Sequence, residues 1–142
     1  NIPNGNALHM EEECTDYDNK IKNAGGIDIQ VLGIGVDGHI GFNEPDSHFE
    51  TGTHIVKLKE ETIKSNSRFF NSEKEVPHYA ISMGIKNIMQ SKSIILLANG
   101  EEKAEAISKT VNGKLCPEVP ASILQIHPNV TIIVDSKAAG KL

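Results

Sequence analysis

Three residues in one short segment carry the groups that proton transfer uses. They are Asp37, His39 and Glu44, in the run Gly33-Ile34-Gly35-Val36-Asp37-Gly38-His39-Ile40-Gly41-Phe42-Asn43-Glu44-Pro45. An imidazole changes charge near neutral pH, and a carboxylate beside it fixes its tautomer and stabilises its protonated form. Asp37 and His39 are two residues apart, so in an extended segment they would point to the same side. Glu44 returns to them if the glycines bend the chain, and Gly35 and Gly38 are where the backbone could turn sharply and approach a ligand. The result would be a histidine held by two carboxylates, suited to moving protons. Spacing alone leaves this open. An Asp-Gly-His triplet more often marks a turn than a catalytic site. The Gly-x-Gly is weak as a dinucleotide signature, because Phe42-Asn43-Glu44-Pro45 interrupts the helix that such a motif requires.

The cations that could meet an anionic ligand are few. Arg68 is the only arginine, so any planar, bidentate contact to phosphate or carboxylate uses it or comes from another segment. Lys103 lies near the start of an expected helix, where free N–H groups and the dipole favour anions. A solvated helix lysine and a surface ion pair are the ordinary readings of these two residues, and residue type alone does not displace them. The net charge of −5, with no basic tract, argues against nucleic acid as a partner. Cys14 and Cys116 have neither a CxxC nor a Cys/His spacing, so they read as free thiols of a reducing compartment, not as a disulfide framework or zinc site. His9, His48, His78 and His127 show no ligand spacing and read as surface histidines. The longest apolar runs, such as 93–98, fall far short of the ~20 residues of a membrane span, so no membrane partner is expected.

The elements that must position these groups follow from the apolar pattern. A helix is predicted from about Asn6 to Asn23, with Glu11, Glu12 and Glu13 early and Lys20 and Lys22 late, as the helix dipole favours. Leu8, Cys14, Tyr17 and Ile21 form its candidate buried stripe, and Gly25-Gly26 ends it. A buried strand follows from Ile27 to Ile34, directly before the Asp37 segment. Weaker strands are expected at Thr53–Leu58 and Tyr79–Met83, a helix at Glu60–Phe69, and a helical turn around Ile85, Ile88 and Met89. Ser93–Ala98 is the clearest buried strand. A helix at Glu101–Val111, a short helix at Pro120–Gln125 and a strand at Val130–Val134 complete the chain. Strands that alternate with helices and are continuously apolar predict an α/β fold, an open, mostly parallel sheet with helices on both faces. In such sheets, ligands bind at the carboxyl ends of strands, where the Asp37 segment lies. The polar run from Pro45 to Gly52 reads as a surface connection, with a lid as the alternative. With 142 residues the chain is one domain, 1–142. Its start, Asn1-Ile2-Pro3-Asn4-Gly5, lacks Met and reads as a loop, suggesting a chain cut from something longer.

The long segment from Gly33 to Pro45 resembles the signature of the glucosamine-6-phosphate deaminases, also called isomerases. Asn4-Gly5-Asn6-Ala7, Asn66-Ser67-Arg68-Phe69-Phe70 and Gly100-Glu101-Glu102-Lys103-Ala104 are similar to further blocks of that family, so the likeness covers nearly all of the chain. It implies a Rossmann-like fold, of which this is the C-terminal portion with the N-terminal part missing. It implies conversion of glucosamine 6-phosphate and water to fructose 6-phosphate and ammonia, in amino-sugar catabolism in the cytoplasm, without metal or organic cofactor. His39 would then shuttle a proton to or from the sugar ring oxygen, with Asp37 and Glu44 holding and tuning it. Arg68 and Lys103 match positions that grip the substrate phosphate.

The same resemblance implies limits. The family's glycine-rich phosphate loop, and the aspartate that moves a proton between C1 and C2, belong to the N-terminal portion, so the isolated chain is expected to be inactive. Family members under effector control carry basic residues where His54 and Val56 stand here. A neutral Val56 cannot pair with an effector phosphate, so a form without that control is expected. The related 6-phosphogluconolactonases share the Gly-x-Asp-Gly-His core but typically continue with Ser-Leu-Phe-Pro where this chain has Phe42-Asn43-Glu44-Pro45. A lactonase-like hydrolase and a non-catalytic sugar-phosphate-binding domain are the alternatives. The phosphorylated amino sugar is the expected partner, with a homo-oligomer left open.

Overall fold

The structure is a computed structural model that describes residues 1–72 and 75–142, without the side chains of Glu61, Ser65 and Asn66. In chain order its elements are α1 (Met10–Asn23), β1 (Ile29–Gly33), β2 (His54–Lys57), α2 (Glu60–Asn66), β3 (Tyr79–Ser82), α3 (Ile85–Met89), β4 (Ser93–Ala98), α4 (Ala104–Asn112) and β5 (Val130–Val134). Short 3-10 segments occur at Ser67–Phe69, Glu101–Lys103 and Pro120–Ile126. None of the described helices is long and apolar enough to cross a membrane.

The strands rich in apolar residues pair in parallel, in the order β1-β4-β5. β2 and β3 form a separate antiparallel pair. The register sets Leu32 beside Leu96 and Leu96 beside Ile132 on one face of the main sheet. That face is packed by Ile85 and Ile88 of α3, Ile107 of α4, and Ala121 and Leu124. On the other face, Val31 pairs with Ile95 and Leu97 with Ile133. Val31, Leu97 and Ile133 are exposed there. The mostly parallel sheet with its helices follows the sequence pattern, and these three residues of the second face meet water. Continuous apolarity shows that both faces want cover without naming what supplies it.

Several local expectations shift. α1 begins at Met10, after a turn closed by the Ala7 N–H on the Asn4 carbonyl, so Leu8 lies outside the helix and is exposed. Cys14 alone of the proposed stripe is fully buried. Gly25 and Gly26 take positive φ and end the helix as expected. His127 is buried, not superficial. Its Nε2–H donates to the Ser91 carbonyl at 2.8 Å and its Nδ1 accepts the Asn129 N–H at 3.1 Å, which ties the entry to β5 to the entry of β4. The run 45–52 is an anchored connection: the Glu50 and Thr51 carbonyls accept from Ile85 and Lys86 at the start of α3. Those N–H groups have no partner within the helix, so the loop acts as its cap.

Candidate active site

The Asp37 segment leaves the carboxyl end of β1, and its geometry is a turn, not the extended run that the two-residue spacing suggested. The Gly38 N–H donates to the Gly35 carbonyl at 3.1 Å, and the Gly35 N–H donates to the His39 carbonyl at 2.9 Å. Gly38 has φ +91°, a conformation that residues with a Cβ rarely adopt, and a Cβ there would also press on Val119. At Gly35 a Cβ would fall into the His39 ring and 2.6 Å from Asp37 Oδ1. The two glycines of the sequence reading therefore let the chain fold back and leave room for the imidazole.

Asp37 and His39 meet because of this turn. Asp37 Oδ1 accepts the His39 backbone N–H at 3.2 Å and lies 2.7 Å from His39 Nδ1. A carboxylate only accepts, so Nδ1 donates and Nε2 is left for a ligand. Burial pushes the Asp37 carboxyl up, but the His39 N–H and imidazole outweigh it and hold the group below its ordinary value.

Glu44 is brought back by a second turn. The Asn43 side-chain amide donates to the Ile40 and Met83 carbonyls, both at 2.9 Å, and the Phe42 N–H donates to Ser82 Oγ at 3.0 Å. The segment is thus pinned to the end of β3. Glu44 Oε1 lies 3.8 Å from His39 Nδ1, and its side chain is only 12% exposed.

A fourth residue joins the trio. Lys59, between β2 and α2, places Nζ 2.8 Å from Glu44 Oε2 and 3.6 Å from Asp37 Oδ2. The sequence reading did not include it. Its only signal there was chemical: two carboxylates at one imidazole call for a cation, but nothing in the spacing of a Lys57-Leu58-Lys59 run says which lysine answers. The donor atoms of Asp37, His39 and Glu44 lie within 4.8 Å of one another, close enough to embrace a cation, and the cation set against the carboxylates is this ammonium.

These residues line a cleft of about 400 Å³ with Ile34, Phe42 and Thr62. Lys103 lines it too, from the 3-10 turn after β4. Two neighbouring parallel strands therefore deliver their following loops to one hollow, as open α/β sheets do. Arg68 does not line this cleft. It sits exposed in the Ser67–Phe69 turn, with its guanidinium 4.8 Å from the centroid of the Phe69 ring. His54, the first residue of β2, has Nδ1 3.0 Å from the Gly52 carbonyl.

A family model described as glucosamine-6-phosphate isomerases/6-phosphogluconolactonase matches residues 1–133. The chain is 68% identical over 142 residues to a glucosamine-6-phosphate deaminase of Clostridium acetobutylicum, covering all of this chain and 58% of that protein. It is 65% identical over the same span to that of Clostridium novyi, covering 59% of it. A solved monomeric glucosamine-6-phosphate deaminase superposes with a TM-score of 0.94 at 46% identity, over all of this chain and 59% of that one. A 6-phosphogluconolactonase from Trypanosoma cruzi shares the fold, with a TM-score of 0.68 at 21% identity, over 92% of this chain and 51% of that one. The chain thus spans about three fifths of the length of the curated relatives it matches.

Proposed function

Because the chain belongs to the glucosamine-6-phosphate isomerase/6-phosphogluconolactonase family, we propose that the whole protein is an aldose–ketose isomerising deaminase. Its reaction takes glucosamine 6-phosphate and water to fructose 6-phosphate and ammonia. The observation that carries this reading over the lactonase one is Glu44. It lies within the cleft beside the Asp37–His39 pair, where ester hydrolysis by an activated water has no need of a second carboxylate. The relatives at 62–68% identity, all deaminases by name, support the same choice.

In this reading His39 works through Nε2. With Nδ1 held by Asp37, the ring can give a proton to the sugar ring oxygen, or take one from it, as the ring opens. Asp37 orients the imidazole, and Glu44 lies against the same ring nitrogen. Lys103 on the cleft wall takes the phosphate as a compact charge. Arg68 is assigned to the phosphate from the family resemblance alone. Neither role requires a metal or organic cofactor, and the free thiols Cys14 and Cys116 suit a cytoplasmic setting.

The test is kinetic and uses the full-length protein. Ammonia release from glucosamine 6-phosphate is compared with hydrolysis of 6-phosphogluconolactone. The deaminase reading predicts the first activity and not the second. His39→Asn and Glu44→Gln should each lower kcat by about 10²-fold or more, with KM changing far less, since general acid–base help is typically worth about 10²–10⁴-fold. Lactone hydrolysis without ammonia release, or a kcat within about twofold of wild type for both variants, would overturn the assignment.

A further inference from the structure

We propose that Lys59 is a positioning residue for this reaction: its ammonium bridges Asp37 and Glu44 and holds both carboxylates in place on the Nδ1 side of His39. The inference rests on the deaminase reading above and adds to it a residue outside the signature segment.

The argument starts from charge. Two carboxylates approach one imidazole nitrogen, at 2.7 and 3.8 Å. They repel each other, and both Glu44 oxygens are shut off from water, so solvent cannot screen them. A carboxylate so placed with no opposite charge takes up a proton or swings away. Lys59 supplies the opposite charge to both, with Nζ 2.8 Å from Glu44 Oε2 and 3.6 Å from Asp37 Oδ2. Contact with Glu44 raises the ammonium above its ordinary value against the opposing effect of burial, and Asp37 adds to it.

The backbone places this lysine firmly. Leu58, one residue before, is buried with Ile63 and Val76 in the small core beneath β2, and its N–H donates to the His78 carbonyl at 2.9 Å. The Lys59 carbonyl accepts the Ile63 N–H at 3.0 Å, the first bond of α2. Only the stem and ammonium remain free to reach the cleft, and the side chain is 49% exposed, so its replacement leaves the core intact.

Steady-state ammonia release by the full-length protein tests this with Lys59→Met, Lys59→Arg and, as reference, His39→Asn. The expected result is a kcat for Lys59→Met about tenfold below wild type, KM for glucosamine 6-phosphate within twofold, and most of the loss restored by arginine. Lys59→Gln serves as a second neutral variant should the methionine form prove insoluble. A kcat within twofold of wild type for the neutral variant, while His39→Asn is inactive, overturns the role of Lys59 alone. So does a raised KM with kcat unchanged, which would mean that Lys59 touches substrate. An equal loss in the arginine variant also overturns it. If His39→Asn retains wild-type kcat, the acid–base reading fails and the role of Lys59 falls with it.

Discussion

Asp37 does two jobs with one oxygen. Oδ1 accepts the backbone N–H of His39, which shapes the turn, and faces the ring Nδ1, which orients the imidazole. A Glu at this position, one methylene longer, would not hold both contacts with one oxygen from the same backbone. Its protonation is also a stability term. The folded carboxyl lies below its ordinary value of about 3.9. Asp37 therefore favours the folded state fully above that pH, and the contribution is lost as pH falls through the lower folded value. Urea unfolding of wild type and Asp37→Asn should show a gap in midpoint at about pH 5 that narrows below about pH 4. The partly exposed setting of Asp37 keeps that gap modest.

At the scale of elements, the cleft depends on how the β2–β3 pair is docked against the main sheet, because β2 leads into Lys59 and β3 ends at the residues that pin Asn43. One carboxylate organises this junction. Asp18 of α1 accepts from the Thr53 N–H and Thr53 Oγ1, just before β2, and from Asn87 Nδ2 of α3 at 2.6 Å. Thr53 and Asn87 are both buried. Asp18→Ala would leave their donors without a partner, at a cost of about 1–3 kcal/mol. Chemical denaturation should register that loss. A stability unchanged within about 0.5 kcal/mol would mean that water or another acceptor replaces the carboxylate.

Over the whole molecule, the two faces of the main sheet differ in what holds them. Leu96 is fully buried against α3 and α4, whereas Val31, on the opposite face, is 57% exposed. Leu96→Ala opens a cavity in a packed core and should cost about 2–5 kcal/mol. Val31→Ala removes methyl groups that already meet water and should cost about 1 kcal/mol or less in this chain. Equal costs, measured by denaturation of the 142-residue chain, would mean that the second face is covered after all. The position of the chemistry at one edge has a separate cause. The loops after β1 and β4 emerge side by side only because these strands are parallel neighbours.

Part of this was legible in the residues themselves. The runs 93–98 and 130–134 are mostly apolar and β-branched, and the structure makes them β4 and β5 with those bounds. Local physics suffices there, because a short β-rich run bounded by turn residues has few other stable forms. The Asp37–His39–Glu44 segment was legible in part: residue type marked the three groups, and its glycines permit the tight turns that bring them together. Lys59 was not legible, because its contact with Glu44 is made across the cleft from a different element and depends on how the β2–β3 pair is docked. The burial of His127 was not legible, because its ring is held by the Ser91 carbonyl, 36 residues earlier in the chain. Residue type thus named the groups with proton-transfer chemistry, and spacing alone left their meeting open. Which cation faces them, and which sheet face is packed, depend on contacts between segments distant in sequence, and only the tertiary structure decided those.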